Sequence, residues 1–137
     1  MKSYFVKHWV VAAVSFFISL NAAVAEPKQV VALHSYGQNF KPWGDYAKAL
    51  RQELERQSPW PLDIQEFSVI TARNRDENAE NQFAEYLNAL FSKRAPDIIV
   101  AFGAPAAAFV QRHRTNLFPS TPMVLTAVDS DALSKRL

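Results

Sequence analysis

The chain has 137 residues, no cysteine, 15 lysines and arginines against 13 aspartates and glutamates, and 49% hydrophobic residues. Without cysteine there is no disulfide, no thiolate metal site and no cysteine nucleophile, so an apolar core must hold the fold. Beyond residue 25 the basic and acidic residues number 13 each, and a formally neutral domain lacks the electrostatic footprint of a nucleic-acid binder.

Residues 1–25 read as a secretory signal peptide. Lys2 and Lys7 form a positive start, Trp9 to Leu20 an apolar run of 12 residues, and Ala23-Val24-Ala25 a small-x-small cleavage site. Cleavage there starts the mature chain at Glu26. The apolar run is shorter than the roughly 18 residues of a spanning helix, and the alternative is a segment retained as a membrane anchor. Both readings put the remainder in an extracytoplasmic, periplasmic space.

Gln29 to His34 is a short apolar run without alternation, the pattern of a parallel strand covered on both faces. Apolar residues then recur at Trp43, Tyr46, Ala47, Leu50 and Leu54, which predicts an amphipathic helix stopped by Ser58-Pro59 and Pro61. Leu62 to Ser68 is more polar and partly alternating, as suits an edge strand. Phe83, Tyr86, Leu87, Leu90 and Phe91 give a second helical stripe, with Asp76 or Asn78 as its cap and Lys93 and Arg94 opposing its dipole. Ile98 to Phe102 is the most continuous buried strand and ends at Gly103. Pro105 marks the start of a third helix with Ala106, Phe109, Val110, His113 and Leu117 facing inward. Met123 to Val128 is a fourth strand, and Asp129-Ser130-Asp131 caps a further helix. The basic pairs at 93–94, 112/114 and 135–136 read as solvated helix ends.

Alternating strands and helices with short crossovers predict an α/β domain of three layers: a parallel sheet of four strands in the flavodoxin-like order 2-1-3-4, with helices on both faces. The fourth strand is as apolar as the central ones although that order leaves it at an edge. A fifth strand is therefore expected after it, and residues 26–137 are expected to be a truncated form of something longer.

Four stretches carry a resemblance. They are Leu33-His-Ser-Tyr-Gly37, Phe40-Lys-Pro-Trp43, Pro96 to Ala106, and Arg114 to Val124. Together they resemble the periplasmic binding-protein-like family, found in substrate-binding proteins of ABC transporters and in the extracytoplasmic sensor regions of bacterial sensor histidine kinases. The resemblance implies the amino-terminal lobe of a two-lobed clamp for a small-molecule ligand, working with a membrane transporter or a sensor kinase. The alternative function is a membrane-anchored sensor fragment that acts through a protein partner in signal transduction.

In open parallel sheets ligands sit beyond the carboxyl ends of the strands. That geometry nominates Ser35 and Tyr36 after the first strand, Thr71 and Arg73 after the second, Gly103, Ala104 and Ala106 at the start of the third helix, and Ala127 and Asp129 after the fourth strand. The Gly103 to Ala106 turn ranks first, because small residues admit a ligand to the backbone and a helix start attracts an anion. His34 reads as a satisfied core histidine, and His113, without a partner at metal spacing, gives no zinc site. Asp129 and Asp131 read as helix caps. No nucleophile elbow, phosphate loop, dinucleotide fingerprint or His-Glu-x-x-His motif is present. The expectation is a binding protein, not an enzyme, with no cofactor and no metal.

Overall fold

The computed structural model describes residues 25–69 and 76–126. All but the last residue of the signal-peptide reading of residues 1–25, and the readings placed on Thr71, Arg73, Ala127, Asp129, Asp131, Lys135 and Arg136, lie outside them. Among the described residues no helix is long and apolar enough to cross a membrane.

The elements alternate as the sequence predicts: β1 (Lys28–His34), α1 (Trp43–Gln57), β2 (Leu62–Ser68), α2 (Glu77–Leu90), β3 (Ile98–Phe102), α3 (Ala104–His113) and β4 (Met123–Thr126). All strand pairs are parallel and the sheet order is β2-β1-β3-β4. β1 and β3 run through the centre because their residues bury on both faces. β2 lies at one edge, and its side chains are partly exposed along almost its whole length.

The two faces are built differently. Val31, Leu33, Ile99 and Ala101 point to one side, where they meet Phe83, Ala84 and Leu87 of α2 and Ala106, Ala107, Phe109 and Val110 of α3. Val30, Ala32, Val100 and Phe102 point to the other side, where Ala47 and Leu50 of α1 pack on them. α2 and α3 bury whole side chains, whereas α1 buries none completely.

Local signals behave as chemistry dictates. Asp76 caps α2, accepting from the N–H groups of Asn78 and Ala79. Pro105 falls in the first turn of α3, where its missing N–H costs nothing. Gly44 is required in the first turn of α1 because a Cβ there would run into the Gln38 carbonyl.

Several expected details are corrected. Tyr46, Tyr86 and Leu90 lie on the predicted inward stripes but are about half exposed, since each helix contacts the sheet over a narrower arc than its apolar stripe. Leu117 is fully buried but follows the end of α3, in the turn that leads to β4. Three arginines of the basic pairs, Arg94, Arg112 and Arg114, are not simply solvated. Arg94 bonds Glu26, the Pro27 carbonyl and Asp97, which ties the incoming chain to the amino end of β3. Arg112 makes a two-pronged contact with Glu80 at 2.7 and 2.8 Å, joining α3 to α2. Arg114 donates to the carbonyls of Phe118 and Thr121. β4 is the outer strand among the described residues, and Val124, in register with Val100, is 45% exposed on the α1 side.

Candidate functional site

The strand order reverses between β1 and β3, which is where open parallel sheets form their binding crevice. Two loops leave the sheet there. The first begins at Ser35, which is buried; its Oγ donates to the Phe102 carbonyl at 2.6 Å and accepts from the Ala106 N–H at 3.0 Å. The second begins at Gly103, with φ 87° and ψ 164°, a backbone region open essentially only to glycine. A Cβ at Gly103 would stand 2.8 Å from Ser35 Oγ and 3.9 Å from Trp43 Nε1. Ser35, Trp43 and Gly103 thus converge although the sequence separates Ser35 from Gly103 by two helices and two strands.

Two of the three N–H donors in the first turn of α3 are spent within the chain, and the exposed Ala104 N–H has no recorded bond. Ser35 takes the Ala106 N–H, Ala107 donates to the Gly103 carbonyl, and Pro105 has no N–H. Gly103 and Ala106 are buried, whereas Ala104 is exposed at the mouth of the crevice. Tyr36 is half-buried with its ring 4.9 Å from that of Phe40, and Trp43 is half-buried 6.1 Å from the Tyr46 ring. Gly37, at φ 113°, lets the chain turn between Tyr36 and the Phe40 segment. Of the residues nominated from the sequence, Ser35, Tyr36, Gly103, Ala104 and Ala106 gather at this edge, and Arg73 and Asp129 lie outside the described residues.

A second group of residues completes the same edge, and sequence reasoning missed it. His34, the last residue of β1, is 1% exposed on the α1 side, stacked on Phe102 with ring centroids 5.0 Å apart and planes 11° from parallel. Its Nε2 lies 3.0 Å from Glu66 Oε2 of β2, and Glu66 is ion-paired with Arg51 of α1. A carboxylate only accepts hydrogen bonds, so Nε2 carries the proton and Nδ1 is a bare acceptor. That Nδ1 is buried and has no hydrogen-bond partner. Burial, and secondarily the Arg51 guanidinium, hold the His34 pKa below its ordinary value, so the ring is neutral near pH 7. A cavity of about 20 Å³ lies beside it, lined by Ala32, Leu50, Arg51, Ile64, Glu66 and Phe102, room for about one water molecule. The expectation of a satisfied core histidine is therefore half corrected: the ring is in the core, but one of its nitrogens has no protein partner. The signal in the sequence was Glu66, a charge at the third position of the Leu62, Ile64, Glu66 alternation, on the same face as His34.

His113 is corrected too. It does have a carboxylate neighbour, Glu80 of α2, at 3.0 Å. Glu80 also holds Arg112, and the Arg112 hydrogen bonds pull its carboxyl below the usual carboxylate range. Among the described residues no group of three or more histidine, aspartate and glutamate side chains is placed to hold a metal ion. At the opposite, amino end of the strands an open groove of about 450 Å³ runs between α1 and the sheet, past Leu54, Trp60, Leu62 and Ile98. Lys28 sits 5.9 Å above the Trp60 ring there, and its Nζ is held by Asp97 at 2.9 Å.

Searches against family models, curated proteins and solved structures match nothing to this chain.

Proposed function

We propose that this chain is an extracytoplasmic recognition lobe for a small organic solute, of the kind it resembles in periplasmic binding proteins and sensor-kinase input domains. The observation that carries the reading is the meeting of Ser35, Trp43 and Gly103 at the carboxyl ends of β1 and β3, where the strand order reverses. There Ser35, Tyr36, Trp43 and Gly103 converge on one edge of the sheet, with His34, Glu66 and Arg51 beside them. Each part has a use in recognition: aromatic rings to cover an apolar body, exposed Ala104 to let a ligand approach the backbone, and polar groups at the side to orient it.

Because the Ala106 and Ala107 donors are spent on Ser35 and Gly103, the helix start offers a ligand little beyond the Ala104 N–H, and most of the orientation falls to the side chains. A polar solute with an apolar or ring-shaped body suits this edge better than a bare anion. In the family it resembles, a second lobe closes over such a crevice, and on this reading tight capture belongs to the two-lobed form.

The test is a thermal-shift screen of the exported protein against amino acids, sugars, aliphatic carboxylates and nucleobases, read together with the Trp43 indole signal. One class is expected to raise the melting temperature and to move the Trp43 resonance, and Trp43→Ala is expected to weaken both responses. Failure of every class to do either, in this chain and in a version joined to a second lobe, would overturn the reading. Amino-terminal sequencing of the exported protein separates a soluble binder, starting at Glu26, from an anchored sensor, which keeps Met1.

A further inference from the structure

Among the described residues the His34 ring stands out, because it is buried and titratable and only one of its nitrogens has a protein partner. From β2 it faces Glu66, from α1 Arg51, and from β3 the uncharged Phe102 ring; among the described residues no other charged side chain is recorded against it. The arrangement is stable only while the ring is neutral. A second proton would place an N–H on Nδ1, where no protein acceptor lies within reach and only a single water in the adjoining cavity has room to receive it, so the charged ring is poorly paired in this position. Glu66 would favour the charged ring, but Arg51 already matches its charge. The new cation would also lie close to the positive Arg51 guanidinium, which disfavours it.

The element that closes over this ring is the least deeply buried of the three described helices. α1 buries no residue completely, and Ala47, Leu50 and Leu54 are only partly covered. Its one recorded ion pair to the sheet is Arg51 to Glu66, the same carboxylate that receives the His34 proton. Anything that displaces the ring therefore disturbs the bond that fastens the helix.

We propose that His34 is an acid-sensitive latch for α1: protonation expels the ring from between Glu66 and Phe102, breaks its hold on Glu66, and loosens α1 from the sheet. Loosening bares Val30, Ala32, Val100 and Phe102 and shifts Trp43, which begins α1 and touches the crevice. The lowered proton affinity of the ring sets the threshold on the acid side of neutrality. Only the bearing of the latch on solute capture rests on the function proposed above. The experiment needs no solute, so the two ideas fail separately.

The experiment is an NMR pH titration of the full chain that follows the His34 imidazole nitrogens, the Trp43 indole N–H and the α1 amides. The imidazole is expected as the Nε2–H form at pH 7.5, with a midpoint below 6.5, and the Trp43 and α1 signals are expected to move with that midpoint. His34→Gln, which keeps a donor for Glu66 and cannot titrate, is expected to abolish the shared transition. A His34 midpoint at or above 6.5 would overturn the latch. So would α1 and Trp43 signals that stay still through the His34 transition, or the same transition surviving in His34→Gln. The first two observations come from the unmodified chain, so the proposal stays testable if the variant fails to fold.

Discussion

The two faces of the sheet use similar strands and opposite strategies. On one face α2 and α3 bury Phe83, Leu87, Phe109 and Val110 and are tied to each other by Glu80, Arg112 and His113. On the other face α1 alone covers four buried residues and is fastened through Arg51 to a carboxylate that also serves the buried His34. The difference divides the labour: the α2/α3 face holds the fold, and the α1 face stays adjustable beside the crevice. Elements that move in binding come from the least stable part of a structure, because moving them then costs least.

The largest expected effect separates the faces by core truncation. Phe109→Ala removes a fully buried ring and is expected to cost about 3–5 kcal/mol, a large part of the roughly 5–15 kcal/mol a domain has in total. Leu50→Ala, on the partly covered side of α1, is expected to cost about 1 kcal/mol. Urea unfolding of both variants checks this, and equal losses would erase the distinction between the faces.

The next effect sharpens the comparison at the edge where the faces meet. Gly103→Ala forces an unfavourable backbone and crowds Ser35 Oγ, at an expected cost of about 3 kcal/mol. Ser35→Ala leaves the Ala106 N–H unpaired inside the fold, at an expected cost of about 2 kcal/mol. In the double variant the crowding is gone, so its loss is expected to be smaller than the sum of the singles.

The smallest effect, in acid, assigns a pH window to each face. The His34 pKa lies below its ordinary value near 6.5, so the unfolded chain takes up the proton first, and stability falls as the pH drops below about 6.5. The Glu80 carboxyl lies below its ordinary value near 4.5, so its contribution is present above that pH and is lost as the pH falls further. Melting temperature against pH is expected to decline in two stages. His34→Gln should remove the upper stage, and Glu80→Gln should shrink the lower one, to which Asp97, also held below its ordinary value by the Gln29 N–H and Lys28, still contributes.

Much of the architecture was legible in the residues. Uninterrupted apolar runs at Val30 to Leu33 and Ile98 to Phe102 identify doubly covered strands, and the partly polar Leu62 to Ser68 identifies an edge. Together with short crossovers they lead to the observed order. The convergence at the crevice was legible only in part. Ser35 and Gly103 follow from strand ends, but that Ser35 caps α3 depends on a contact across 71 residues, which no local pattern encodes. Glu66 was hidden for the same reason, since its meaning depends on His34 and Arg51 arriving from two other elements. The exposure of Tyr46, Tyr86 and Leu90 was hidden because periodicity locates an apolar face without fixing how wide an arc the partner covers.

Native-state hydrogen exchange at pH 7 tests the division between the faces most directly, amide by amide. The account predicts that α1 opens locally, with a free energy at least about 1–2 kcal/mol below that of α2 and α3, whose amides exchange through global unfolding. If the α1 amides are as protected as those of Phe109 and Val110, the two faces form one cooperative unit and the claim of an adjustable face is contradicted.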